Sequence, residues 1–228
     1  MNKPRVSVVI NTYNNRPDQL LAAVKSYMTQ PGVAVQVIVS TLLGDSSLSA
    51  LNGIGVTFCL SKKPGIYSQL NKALSYVIGD WFCYASGNDV AVPGKLLDEV
   101  RCCETAKAHV CYSAFFSADA HLANKKVASF YPYSYEKHKK GNFVSDCAMM
   151  NREILNTYKP FVEKYGNAAY WDFWLRVAEG EGEAAFVYNP KPTWIYRTGG
   201  RHILRKKDKD KVRHNNEVKQ LMLLDHRK

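Results

Sequence analysis

The chain has no run of about 18 apolar residues, so no membrane-spanning helix is expected. Its first apolar stretch, Val6-Ser7-Val8-Val9-Ile10, is too short for a signal peptide and lacks a cleavage region. No two of the six cysteines have metal-ligand spacing, and Cys59, Cys83 and Cys111 fall inside apolar runs, where a thiol behaves as a small hydrophobe. A reducing, cytoplasmic setting is therefore expected. Two phosphate-binding signatures are also missing. No G-x-G-x-x-G follows the first strand-like run and no G-x-x-x-x-G-K-[ST] occurs at all, which excludes a typical dinucleotide-binding dehydrogenase and a P-loop enzyme. Without an internal repeat or a linker, the 228 residues are read as one domain with a C-terminal extension.

Acids are scarce beside bases. Twenty Asp and Glu face 31 Lys and Arg, for a formal charge of +11. The excess is concentrated in the tail: Arg201 to Arg213 holds seven Lys or Arg and two Asp. Such a run could meet the phosphates of a nucleotide, a nucleic acid or an anionic membrane surface, or could simply be a solvated face. No nucleic-acid-binding motif accompanies it, so a nucleic-acid partner is not expected.

The remaining pattern alternates strands and helices. Arg5 to Ile10, Val33 to Val39, Val56 to Leu60 and Trp81 to Ala85 read as strands; Pro17 to Met28 and Tyr67 to Val77 read as helices. A helix from Pro93 to Thr105 and a strand from His109 to Phe116 continue the series. The alternation implies a doubly wound, mostly parallel sheet with helices on both faces. Beyond it, Phe143 to Met150 reads as a strand, Arg152 to Tyr158 and Tyr170 to Val177 as helices, and Ala184 to Tyr188 and Thr193 to Tyr196 as late strands. A final helix is drawn from Lys209 to His226. The segment 117–142 interleaves Phe130, Tyr131, Tyr133 and Tyr135 with lysines, as a sugar- or base-stacking surface or a lid packed on the core would.

Ser86-Gly87-Asn88-Asp89 is the small polar turn that ends the fourth strand. Ligands of open α/β sheets bind at such strand ends, and short oxygen-bearing side chains there suit a hard cation.

Four segments, in order, carry a resemblance. Val6 to Asn14, Gly65-Ile66-Tyr67-Ser68-Gln69-Leu70-Asn71-Lys72, Ser86 to Leu96, and Asp172-Phe173-Trp174-Leu175-Arg176-Val177 resemble, respectively, the first strand, the "GIYDAMNKG" segment, the "DSDDIxLPxKL" turn and the "DxxLWLRL" helix of family 2 glycosyltransferases. The likeness spans roughly residues 5 to 202. It implies the GT-A fold: a nucleotide-sugar-binding half at 5–105, an acceptor and catalytic half at 106–200, and a basic helical extension at 201–228. It also implies transfer of a hexosyl or deoxyhexosyl group, with inversion, from a nucleotide-diphosphate sugar to a hydroxyl of a glycan, lipid-linked or protein-linked acceptor. A UDP-sugar is favoured, with GDP- and dTDP-sugars as alternatives, and the basic tail could touch a membrane peripherally.

By the same resemblance, Thr12, Tyr13 and Asn14 would hold base and ribose, with Ser40 or Thr41 standing where family members place a base-reading acid. Gly65, Tyr67, Asn71 and Lys72 would lie near nucleotide or sugar, and Arg197 and Arg201 would pair with the diphosphate. Asn88, Asp89 and His202 would hold Mn²⁺ or Mg²⁺. Asp172 is the first candidate for the general base and Asp146 the reserve. The sequence departs from the pattern in the metal turn, where Ser86 and Asn88 replace acids, at Ser68, and at Tyr170, which aligns with the family's first helix acid. Asp172 could equally pair with Arg176 one turn on. Those departures motivate a second reading, a degenerate GT-A module that binds nucleotide sugar or glycan without turnover.

Overall fold

The computed structural model describes residues 2–158, 161–198 and 209–226, and for 209–215 the backbone alone. In chain order the elements are β1 (Arg5–Asn11), α1 (Pro17–Met28), β2 (Ala34–Leu42), β3 (Thr57–Ser61), α2 (Ile66–Ala73), β4 (Trp81–Ser86), β5 (Val90–Ala91) and α3 (Lys95–Ala106). They continue with β6 (Val110–Ala118), β7 (Lys126–Ala128), α4 (Tyr135–His138), β8 (Met149–Asn151), α5 (Ile154–Thr157), α6 (Ala169–Glu181), β9 (Phe186–Arg197) and α7 (Lys209–Asp225).

One mixed sheet runs in the order β3-β2-β1-β4-β8-β6-β9-β5, with β7 paired to β6. The four strands of the first half are parallel to one another. Antiparallel β8 joins them to the second half, where β6 and β9 again run parallel. The α/β architecture is thus as the alternation implied.

Alternation along β1 explains the two layers. Val6, Val8 and Ile10 face one side, where Leu20, Val24 and Tyr27 of α1 meet Leu96 and Val100 of α3. Val9 faces the other, with Leu70 and Ala73 of α2 and Phe173, Trp174 and Val177 of α6. Among the described residues no helix is long and apolar enough to cross a membrane.

Two sequence readings need correction, and one short strand was not anticipated. The run from Phe143 to Met150 is a loop until Met149: Ser145 caps a turn by accepting from the Cys147 amide (3.1 Å), and its apolar residues are buried by packing, not by strand pairing. The late strands merge into one, β9, because Asn189 folds its side chain onto the Lys191 amide and the chain carries on extended through Pro190 and Pro192. Val90 and Ala91 pair with Ile195 and Trp194, a two-residue strand too short for any periodicity to show.

Candidate active site

β1 and β4 end side by side, with Asn11 in register with Ser86. The turns that follow pack so tightly that a Cβ on Gly87 would sit 2.6 Å from Asn15 Nδ2 and 2.8 Å from Thr12 Cβ. Only glycine fits between them. The Gly87 amide donates to the Asn11 carbonyl at 2.9 Å, which closes the contact.

Beyond that turn a cleft of about 600 Å³ opens at the carboxyl ends of the strands. Of the residues singled out from sequence, Tyr67, Asn88, Asp89 and Asp146 line it. Asp89 is buried, and its Oδ1 accepts from the backbone N–H of Arg197 at 2.9 Å. Burial pushes its carboxyl up to about 7 against that hydrogen bond and the Arg197 charge, and the charge of Asp146 adds to the rise. Asp146 is open to solvent within the cleft, yet protein surrounds it there, and that desolvation raises its carboxyl to about 6. The Oδ1 of Asn88 accepts from the Ser86 hydroxyl.

The loop that carries Asp146 is held from both sides. On one side Asn142 Oδ1 accepts from the Val144 amide (3.2 Å) and meets His138 Nε2 (3.0 Å), while His138 Nδ1 meets the Tyr133 hydroxyl (2.8 Å). Burial pushes His138 down to about 4, so the ring is neutral and carries one donor. On the other side, Lys95 Nζ donates to the Cys147 carbonyl at 3.1 Å and to both oxygens of Glu99 at 2.7 and 2.8 Å. Glu99 also accepts from Ser113 of β6 and Thr193 of β9, each at 2.7 Å. This fully buried hub ties α3, β6, β9 and the Asp146 loop together. Sequence reasoning missed it; the available signal was a lysine in the first turn of an apolar helix, where the helix dipole is unfavourable unless an acid compensates.

Several expected nucleotide contacts are occupied by the fold itself. Asn71 exchanges hydrogen bonds with the Phe161 backbone (2.9 and 3.1 Å), Lys72 donates to the Leu60 carbonyl (2.6 Å), and Ser40 donates to the Gln69 carbonyl (3.1 Å). Gly65 begins α2 with a φ of 128°. Arg197 donates from Nε to the Asn88 carbonyl (2.9 Å) and from Nη1 to the Ala120 carbonyl, bracing the Ser86–Asp89 turn. Tyr13 is exposed, and Asn14 donates from its amide to Asp45 Oδ1 at 3.1 Å. Asp45, also missed, accepts from Thr41 and Ser47 too. Burial raises its carboxyl, but these bonds outweigh burial and hold it below the usual range. Among the described residues, Thr12 Oγ1 and Tyr84 Oη are buried without a hydrogen-bond partner, and Tyr84 lines the cleft.

Asp172 is elsewhere. It is not among the lining residues, and it accepts from Arg176 Nε (3.0 Å) and meets His226 Nε2 of the C-terminal segment (3.1 Å). The helical pairing with Arg176 is thus the one present. Arg201 and His202 lie outside the described residues.

Among the described residues no three His, Cys, Asp or Glu form a metal cage. The cleft instead offers two raised carboxylates and the Asn88 amide, with no lysine, arginine or histidine among its described lining residues. That donor set fits a divalent cation completed by substrate phosphate oxygens and water.

No protein-family model and no curated protein matches the sequence. Solved structures do match in shape. TarS from S. aureus in complex with UDP-GlcNAc superposes with a TM-score of 0.67 at 13% identity, over 96% of this chain and 65% of that one. Glucosyl-3-phosphoglycerate synthase from Mycobacterium tuberculosis, with Mn²⁺, UDP-glucose and glycerol 3-phosphate, gives 0.66 at 15% identity, over 97% and 79%. The full TarS structure gives 0.64 at 15%, over 85% of this chain and 37% of that one. The fold is GT-A. These GT-A neighbours are family 2 glycosyltransferases, and the chain spans about a third to two thirds of the TarS chains it matches.

Proposed function

We propose that the chain is an inverting glycosyltransferase of the "GIYDAMNKG" branch, taking a sugar from a nucleotide-diphosphate donor, a UDP-sugar by preference, to an acceptor hydroxyl. The observation that carries the reading is the pairing of Asp89 and Asp146 in one cleft at the strand ends of a GT-A fold. Neighbours crystallised with UDP, UDP-GlcNAc and UDP-glucose support the donor class.

Asp146 is the general base in this reading, in place of Asp172. It is reached from the cleft, and a carboxyl near 6 is ionised at neutral pH while remaining basic enough to take a proton from an attacking hydroxyl. Asp89, with Asn88, is the part of the cleft that would hold Mn²⁺ or Mg²⁺; a cation bound there would neutralise charge on the departing diphosphate. Two carboxylates without a compensating cation would otherwise repel a diphosphate.

A second reading, a module that binds nucleotide sugar without turnover, is favoured by one observation: the Ser86 hydroxyl already engages the amide oxygen that would be the second metal ligand. Calorimetric titration of UDP, GDP and dTDP with and without Mn²⁺, followed by release of labelled sugar from the sugar derivatives of whichever binds, separates the readings. Transfer supports the enzyme, binding without transfer supports the module, and no binding of any nucleoside diphosphate rejects both.

A further inference from the structure

The second half of the cleft has a chemistry of its own. Phe115 of β6 and Trp194 of β9 are register partners whose rings stack at 4.6 Å between centroids and 21° between planes. Phe130 lies 5.7 Å from Phe115, and Tyr196 stands edge-on to it at 6.2 Å. All four line the cleft, together with Asp146. Phe115, Phe130 and Tyr196 keep part of their surface exposed, so this wall is accessible rather than core.

We infer that this wall is the acceptor subsite and that it selects an uncharged glycosyl ring, whose face lies on the Phe115–Trp194–Tyr196 aromatics while one hydroxyl is presented to Asp146. Resting on the proposed glycosyl transfer, the inference adds the acceptor's class. Two features carry it. Aromatic faces are electron-rich and attract the polarised C–H groups of a sugar face, whereas a phosphate or carboxylate set against them would lose hydration for no ionic partner. With Asp89 assigned to the cation, Asp146 is the acid left in the described lining, which holds no cationic side chain, so an anionic acceptor would meet repulsion from Asp146. A neutral ring loses nothing in that field. The reaction balances simply. The acceptor oxygen attacks the anomeric carbon, its proton passes to Asp146, and the nucleoside diphosphate leaves with the bonding pair.

The test is direct binding and turnover with the full chain, Mn²⁺ and UDP or a UDP-sugar. Neutral alkyl hexosides, glycerol 3-phosphate and a hexose 6-phosphate are compared by ligand-observed NMR and by transfer rate. The expected result is that the neutral glycoside binds and is glycosylated at least tenfold more efficiently than either phosphate. Phe115→Leu and Tyr196→Leu should each raise the neutral acceptor's KM about three- to tenfold while the UDP dissociation constant stays within twofold. Either substitution alone is informative, and retained UDP binding shows that the variant is folded. Preference for a phosphorylated acceptor, or an unchanged acceptor KM in both variants, overturns the inference while leaving the transferase reading standing. Absence of nucleotide binding in the native chain removes both.

Discussion

The ammonium of Lys95 donates to the carbonyl of Cys147 at 3.1 Å, one residue beyond Asp146, with the lysine side chain fully buried. Lys95 follows the Ser86–Asp89 turn and opens α3, so this bond links the two acidic corners of the cleft through a single side chain. Its charge is balanced by Glu99, and burial, which lowers the lysine's basicity, is outweighed by that carboxylate. A lone charge in this position would be costly, whereas the pair is satisfied.

Lys95→Met should therefore destabilise the fold by about 3–5 kcal/mol, because Glu99 is left buried with only two hydroxyl donors. Lys95→Met combined with Glu99→Leu should recover much of that loss. Urea unfolding of both variants measures it, and equal losses in the single and double variants would show that the pair is not the hub.

Asp172→Asn should leave sugar transfer within about threefold of native while lowering stability by about 1–3 kcal/mol, since its partners Arg176 and His226 lose a charged acceptor. A loss of activity with unchanged stability would return Asp172 to the base role.

The same contact gives the C-terminal helix a pH dependence. His226 Nε2 meets Asp172 and its Nδ1 meets Glu179 at 2.9 Å, and hydrogen bonding to Asp172, against burial, raises the imidazole above its ordinary 6.5. A raised folded-state value means the stabilisation is complete below about 6.5 and is lost as pH rises through the folded-state value. Protection factors of α7 amides, taken against the base-catalysed intrinsic exchange rate, should fall from pH 6 to pH 9 in the native chain, and His226→Gln should flatten that fall.

Gly87→Ala should cost about 1–3 kcal/mol and weaken any nucleotide binding, because the added methyl collides with Thr12 and Asn15 across the two turns. Thermal unfolding with and without UDP checks both effects.

The strand-helix alternation and the polar turn at the end of β4 were legible because their signals are local: a burial period, a proline or glycine, a short polar run. The place of the acids was not. Asp172 sits in the more suggestive motif, but a helix acid four residues before an arginine has its partner at hand, and the tertiary placement of α6 sets that pair against His226 and outside the lining of the cleft. Phe143, Val144, Cys147 and Ala148 look like a strand around Asp146 in sequence; they are buried as the two flanks of a capped loop. The Lys95–Glu99 hub and the Phe115–Trp194 stack join residues 52, 94 and 79 positions apart, and no sequence spacing records such contacts.

Transfer of labelled sugar from a UDP-sugar, measured across pH 5 to 9 for the native chain and Asp146→Asn, tests the account most directly. The native chain should show an acid limb with an apparent value near 6, where the Asp146 carboxyl titrates. Asp146→Asn should lose about 10²- to 10⁴-fold in rate and the limb with it, while still binding UDP. A variant that keeps more than about a tenth of the native rate, with the acid limb in place, would contradict the assignment of Asp146 as the base.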